Sequence, residues 1–270
     1  MKSMNKNISA HEIKQLAHRQ LLDYRAHNPG MCFSETGFYI DVKAAYSLQD
    51  AVTELRIRSG ERVIGYKVGC TSPRTTAQFE IDGPIRGTLF ADEVLEDRTC
   101  VNPNEFCQLS IEGEMALRIG ENCQIEAAFP VIELHNFVFR ATKKTLSELI
   151  ANNGINAGIV LPNDHWQRSK AYISKEASLA LKINGKNVGI ASLWPKEGGP
   201  KQSLNWLINH LEDYGLKLMP GNIVLAGTTM GLYPVKDEDE IIVYIDEQPT
   251  VRCSIKATRK AISSHRLIQD

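Results

Sequence analysis

Apolar residues recur at helical spacing at the start of the chain and at alternate positions after residue 60. The segment SAHEIKQLAHRQLLDY (9–24) has the helical pattern, and Ser9 with Glu12 three positions later is typical of a capping box. A second helix is predicted over SLQDAVTELRIRSG (47–60), where Gly60 marks its end. We therefore expect residues 1–60 to form an N-terminal helical region.

The rest of the chain is rich in strand patterns. Two further helices are predicted at 143–154 and 203–215, and Asn184-Gly185-Lys186 marks a hairpin turn. The predicted strands are 62–72, 111–119, 127–139, 157–161, 179–191, 222–228 and 240–257. This order predicts an α+β fold, with a second domain over residues 61–262.

Composition narrows the class of protein. The formal net charge of the 270 residues is −1, which gives no electrostatic reason to expect a nucleic acid or an anionic membrane as partner. The six cysteines have no CxxC or zinc-ligand spacing, and the N-terminus lacks the apolar segment of a signal peptide. We expect reduced thiols and a cytoplasmic location.

The stretch SIEGEMAL (110–117) places Glu112 and Glu114 on one face of a strand. An amphipathic strand with this face in water is one interpretation. Glu133 favours another, because its strand neighbours are apolar and a buried carboxylate needs a partner. That partner is either a basic side chain or a cation shared with the other two glutamates, and oxygen ligands alone favour Mg²⁺ or Mn²⁺.

Two other residues and one segment attract attention. Lys67, in GYKVGCTSP, lies either on an exposed edge strand or in a cleft where it moves a proton or pairs with an anionic substrate. The segment 70–93 that follows it is predicted to be a long functional loop. His135, two positions past Glu133, is either a packed core histidine or a base for hydrolysis.

Five segments together resemble the fumarylacetoacetate hydrolase superfamily, in particular its 2-oxopent-4-enoate hydratase and 4-oxalocrotonate decarboxylase branch. They are GYKVGCTS, PIRGTLFAD, EGEMA, PVIEL and ANNGINAG, in this order along the chain. The resemblance implies a mixed β-roll with flanking helices and a homodimer or larger assembly. It also implies that Glu112, Glu114 and Glu133 bind Mg²⁺ or Mn²⁺ and that Lys67 handles protons. Arg74, Gln78 and Asn153 are the expected substrate contacts.

A 2-oxo acid is the substrate class that the resemblance implies. Its carboxylate and 2-oxo oxygen chelate the metal, which stabilises an enolate. Hydration of a 2-oxo-alkenoate, decarboxylation of a 2-oxo diacid and C–C hydrolysis of an acylpyruvate all use this enolate. We expect a hydratase first, with the other two reactions or a non-catalytic binding protein as alternatives.

Two substitutions set this chain apart from the hydratases it resembles. Ile85 stands where they carry an aspartate, and Ile155 stands where they carry a serine. These departures predict either a different substrate or reduced activity on an intact metal site.

Overall fold

The computed structural model describes residues 8–81, 83–195 and 199–258. Its α-helices are α1 Ala10–Arg25, α2 Val42–Arg58, α3 Pro73–Phe79, α4 Leu146–Ala151, α5 Asp164–Gln167 and α6 Pro200–Asp213. Its strands are β1 Val63–Gly69, β2 Ile85–Phe90, β3 Val94–Glu96, β4 Thr99–Val101, β5 Leu109–Ile119, β6 Ile125–Asn136, β7 Asn156–Leu161, β8 Ser178–Ile183, β9 Lys186–Ser192, β10 Ile223–Leu225, β11 Tyr233–Pro234, β12 Glu240–Ile245 and β13 Gln248–Ile255. Short 3₁₀ turns cover Met31–Ser34, Ala91–Glu93, Pro103–Glu105, Glu121–Cys123, Asn153–Ile155 and Ala171–Ile173.

The strands form two mixed sheets, which confirms the predicted α+β class. The larger sheet runs β2-β1-β10-β5-β6-β7-β3, with β11 paired to β5, and the smaller runs β4-β13-β12-β8-β9. The main apolar core lies between them and includes Met115, Leu117 and Ile132 from the larger sheet and Leu181 and Val243 from the smaller. The opposite face of β5 and β6 is therefore left to line the inside of the larger sheet.

The larger sheet curls until its two halves meet. Asn153, directly before β7, accepts a hydrogen bond from the Thr88 backbone N–H of β2 at 2.7 Å and donates one to the Thr88 carbonyl at 2.8 Å. These two bonds join strands that lie five positions apart in the sheet order. The curl is the β-roll expected from the resemblance, and it brings side chains of distant strands together.

The N-terminal helices pack against the outside of this roll. α1 begins with the predicted capping box, in which the Ser9 hydroxyl accepts from the Glu12 N–H. Ala17 of α1 and Leu48 of α2 share an apolar cluster with Ile150 of α4. The division at residue 60 stays a prediction, and residues 259–262 of the predicted second domain lie outside the described residues.

Two sequence predictions need correction. Segment 70–93 is not one loop, because α3 and β2 lie within it and β2 pairs antiparallel with β1. The helix predicted at 143–154 is shorter and covers Leu146–Ala151.

The 184–186 hairpin is confirmed, since Asn184 and Gly185 both have positive φ between β8 and β9. The six cysteines are free. None of the described helices is long and apolar enough to cross a membrane.

Gly65 allows the close approach of β1 and β10. Its φ is +152°, and a Cβ there would lie 1.8 Å from the Ile223 carbonyl oxygen. We expect Gly65→Ala to destabilise the protein by about 3 kcal/mol or more, because the backbone of two paired strands has to separate. Urea unfolding measures this loss. Gly60→Ala is the matched control, since Gly60 has φ +100° but no atom within 4 Å of the added Cβ.

Candidate active site

Glu112 and Glu133 face each other across the β5–β6 pair. The antiparallel register aligns Glu112 with Glu133, Glu114 with Val131 and Ser110 with His135. Alternation along the strands places all of these side chains on the face that lines the curl. The expectation that this face lies in water is wrong, because Glu114 and Glu133 are 2% and 1% exposed.

Lys67 comes to this cluster from β1. It is 4% exposed, and its Nζ lies 2.7 Å from Glu133 Oε1 and donates to the Gly154 carbonyl at 3.2 Å. Three neighbouring strand spacings of about 4.8 Å separate β1 from β6 along the sheet, so the curl makes this contact possible. Lys67 is therefore not on an exposed edge strand, and the alternative of a cleft lysine describes its position.

Glycines make room for the lysine stem. A Cβ on Gly87 of β2 would lie 2.8 Å from Lys67 Cγ and 2.7 Å from the Asn153 carbonyl oxygen. A Cβ on Gly69 would lie 3.2 Å from Lys67 Cε. Only small residues at these positions allow Lys67 to lie flat inside the curl and reach Glu133.

Charges in the cluster shift one another's pKa values. Burial opposes the charge of Lys67, but the three glutamates, Glu133 most of all, outweigh it and raise the lysine pKa. Burial also opposes ionisation of Glu133, but His135 and Lys67 lower its pKa to about 2. Burial, with added repulsion from Glu133 and Glu112, raises the pKa of Glu114 well above its ordinary value. The site thus holds a lysine ammonium, an ionised Glu133 and a glutamate that resists ionisation.

The donor atoms suit a divalent cation. Ligand atoms of Glu112, Glu133 and His135 all lie within 4.8 Å of one another, and Glu114 is outside this group in the part of the chain that the structure describes. Glu114 Oε1 and Glu133 Oε2 are buried without a hydrogen-bond partner among the described residues. Buried carboxylate oxygens without donors are costly, and a cation between them removes that cost.

Asn156 is a site residue that the sequence reasoning missed. It is 3% exposed at the start of β7, and its Nδ2 donates to Glu133 Oε1 at 2.7 Å. Lys67 and Asn156 therefore both bind Oε1 of Glu133. The other oxygen, Oε2, is left for the group that Glu133 forms with Glu112 and His135. The only signal in the sequence was an amide one residue before an apolar strand.

The remaining predicted residues lie elsewhere. Arg74 and Gln78 are exposed on α3, and within the described residues neither makes a hydrogen bond or ion pair with the cluster. Asn153 uses both ends of its amide on Thr88. The substrate contacts of Arg74, Gln78 and Asn153 stay predictions. In the structure, the Asn153 amide joins β2 to the segment before β7.

The two departures from the hydratase pattern are close to Lys67. Ile85 lies beside the lysine stem, and Ile155 follows Gly154, whose carbonyl accepts from Lys67 Nζ. Ile85 is 3% exposed, and its side chain lies within 3.3 to 3.5 Å of the Cβ positions built on Gly69 and Gly154. Ile155 is 8% exposed and has φ +57°, a conformation that β-branched residues rarely adopt. Ile85 makes the wall beside the lysine stem apolar.

Comparison with known proteins shows what this chain is similar to. No family model matches the chain. The 2-keto-4-pentenoate hydratase 1 of Dechloromonas aromatica is 28% identical over 221 residues, which cover 76% of this chain and 82% of that relative. The solved 4-oxalocrotonate decarboxylase from Pseudomonas putida G7, complexed with magnesium and adipate, matches with a TM-score of 0.82 at 20% identity, over 93% of this chain and 100% of the other. These similarities confirm the resemblance to the hydratase and decarboxylase branch of the fumarylacetoacetate hydrolase superfamily.

A more distant superfamily structure shares the fold. The fumarylpyruvate hydrolase from Pseudomonas aeruginosa, in complex with Mn²⁺ and pyruvate, matches with a TM-score of 0.53 at 16% identity, over 73% of this chain and 90% of the other. The decarboxylase structure aligns with 93% of this chain and the hydrolase structure with 73%.

Proposed function

We propose that this protein is a divalent-metal-dependent lyase that adds water to a small 2-oxo-alkenoate of the 2-hydroxypenta-2,4-dienoate type. The observation that carries the proposal is the buried ion pair of Lys67 and Glu133 beside two further glutamates. Sequence similarity to 2-keto-4-pentenoate hydratases supports the reaction class. The arrangement places a proton donor next to an acidic group suited to a cation.

Glu112, Glu114 and Glu133 are the proposed ligands of Mg²⁺ or Mn²⁺. They fit such an ion because they are hard oxygen donors on one face, and two of them have buried oxygens without a hydrogen-bond donor in the described ranges. The bound ion supplies positive charge that polarises the 2-oxo group of a chelating substrate. Asn156 and Lys67 orient Glu133 so that one of its oxygens is left for this purpose.

Lys67 is the proposed proton donor and acceptor. Its raised pKa keeps Nζ as an ammonium, which is the donor form. The Gly154 carbonyl and Glu133 hold Nζ inside the curl, so the proton is presented from a fixed position. Arg74, Gln78 and Asn153 remain proposed substrate contacts, and α3, which carries Arg74 and Gln78, follows β1 closely in the chain.

Decarboxylation of a 2-oxo diacid is the second candidate, and Ile85 favours it. An apolar side chain beside Lys67 cannot orient an attacking water, whereas a carboxylate at that position can. Decarboxylation needs a proton for the product carbon but no added water. C–C hydrolysis of an acylpyruvate needs an activated water. The apolar Ile85 side chain therefore disfavours it.

The direct test is ultraviolet loss of 2-hydroxypenta-2,4-dienoate in the presence of Mg²⁺. We expect metal-dependent loss that the Glu112→Ala, Glu114→Ala double variant abolishes. Product analysis separates the candidates, since hydration retains all carbons and decarboxylation releases carbon dioxide from a diacid substrate. A protein that binds Mg²⁺ and turns over none of the 2-oxo acids would be a binding protein, and the proposed activity would be wrong.

Affinity for Mg²⁺ is expected to rise with pH. The pKa of Glu114 is raised, so above the ordinary glutamate pKa the metal-free site still holds a proton that an incoming ion has to displace. Affinity therefore increases with pH until the raised pKa is passed. Calorimetry in two buffers of different ionisation enthalpy measures the released proton.

Glu114→Gln is the control for this pH dependence, because it has no carboxyl proton to release. The variant should bind Mg²⁺ more weakly, and the part of the proton release that comes from Glu114 should disappear. Proton release that is the same in both proteins would show that Glu114 is not the group displaced.

Location and assembly form part of the same proposal. We place the enzyme in the cytoplasm as a homodimer or larger homo-oligomer, as the family resemblance implies. Sedimentation velocity of the purified chain measures the assembly, and a monomer at all concentrations would contradict it.

A further inference from the structure

His135 differs from an ordinary core histidine. It is 2% exposed, and neither ring nitrogen has a hydrogen-bond partner among the described residues. A histidine buried for packing normally satisfies at least one ring nitrogen, because an unpaired polar atom costs about 1–3 kcal/mol. Packing alone therefore does not explain the position of the imidazole, and its charged neighbours have to be considered.

The position of the ring points at the acidic group. His135 Nε2 lies 3.2 Å from Glu112 Oε2 and 3.3 Å from Glu133 Oε2. Both distances are within ion-pair range. A cation that takes the place of the His135 proton would meet the same three donor atoms.

The backbone fixes this convergence. Glu112 and Glu133 are opposite each other in the strand register, and His135 is one same-face position further along β6. The side chains therefore come from the central strands of a sheet and not from mobile loops. The set within 4.8 Å contains one nitrogen and two carboxylate donors.

We propose that His135 Nε2 is a direct ligand of the ion held by Glu112 and Glu133, so that the site has a nitrogen donor and prefers Mn²⁺ and later first-row divalent ions over Mg²⁺. This rests on the proposed function, which supplies the ion. Imidazole binds first-row transition ions well, whereas Mg²⁺ prefers oxygen. The three-glutamate set alone has no such preference for nitrogen-binding ions.

Electron spin-echo envelope modulation of the Mn²⁺-loaded protein tests the ligand directly. We expect ¹⁴N modulation from a coordinated imidazole in the wild-type chain and its loss in His135→Leu. His165→Gln is the matched control, because His165 is exposed on α5 and its removal should leave the modulation unchanged. Mn²⁺ bound without ¹⁴N modulation in the wild-type protein would overturn the inference and leave the proposed function standing.

The ion preference is tested by Mn²⁺ titration and Mg²⁺ competition. Loss of an outer-shell partner typically weakens metal binding by about 10- to 100-fold, and we expect loss of a direct ligand to weaken Mn²⁺ binding at least as much. Mg²⁺ affinity should change much less, so the ratio of the two affinities falls. An unchanged ratio in His135→Leu would show that His135 is only a countercharge, and the inference would be wrong.

Two further results keep the test decisive. If His135→Leu does not fold, the wild-type ¹⁴N modulation alone decides the point. If the wild-type chain binds neither Mn²⁺ nor Mg²⁺, the metal-dependent function fails and the inference fails with it. These outcomes differ from Mn²⁺ binding without nitrogen coupling, so the two proposals are separable.

Discussion

Glu133→Gln should lower turnover of the 2-oxo acid substrate by about a thousandfold and weaken metal binding strongly. Glutamine keeps the shape but removes the charge that faces Lys67 Nζ at 2.7 Å and His135 Nε2 at 3.3 Å. It also removes a carboxylate from the ion, and loss of one preorganised electrostatic group commonly costs about 10²- to 10³-fold in rate. Steady-state kinetics with a Mn²⁺ titration measures both effects.

Glu126→Gln is the matched control for this prediction. Glu126 lies on the same strand, β6, but is exposed. We expect wild-type turnover and wild-type Mn²⁺ binding from it. If Glu133→Gln retains both properties, Glu133 is neither a ligand nor the partner of an essential lysine.

Lys67→Met should lower turnover by about 10²- to 10⁴-fold while the protein still binds the ion, because it removes the proposed proton donor and no metal ligand. The same change should destabilise the metal-free protein by about 3–5 kcal/mol, since Glu133 is left as a buried charge without its lysine. Excess Mg²⁺ should recover part of this stability by replacing the lost positive charge.

Urea unfolding with a chelator measures the stability lost in the metal-free Lys67→Met protein. The same experiment with excess Mg²⁺ measures how much of that stability the ion restores. Lys186→Met, at an exposed position in β9, is the control and should change neither stability nor turnover. A Lys67→Met protein with wild-type kcat would remove the lysine from the mechanism even if its stability falls.

The pattern of apolar and polar residues was sufficient to predict most helices and strands but not the curl of the larger sheet. Alternation in β5 predicted correctly that Glu112 and Glu114 share a face, because strand periodicity is a local property. It could not show that Glu133 of β6 joins them, because that depends on how the two strands pair. It could not show whether that face lies in water, since the answer depends on strands that pair from far along the chain. The burial of Lys67 came from the same non-local pairing with β10.

Short strands and weak contexts account for what was missed. Every residue of β2 is buried, so the strand has no sustained alternation of apolar and polar positions that would reveal it in the sequence. Turn-forming residues on its N-terminal side favoured a loop instead. Asn156 lies in ordinary strand surroundings, and its contact with Glu133 depends on the pairing of β6 with β7. Family resemblance supplied the roles of the glutamates, which residue spacing alone left open.

The short connection between β5 and β6 has a consequence for how the molecule folds. Glu112 and Glu133 meet through a local hairpin, whereas Lys67 reaches them only after β1 pairs with β10 from the far end of the chain. Local contacts form quickly and contacts between distant segments form late. We therefore expect the acidic hairpin to form before its lysine reaches it, and a cation from solution to replace the lysine charge during that interval. Divalent ions should then act on the refolding rate of this protein as well as on its finished active site.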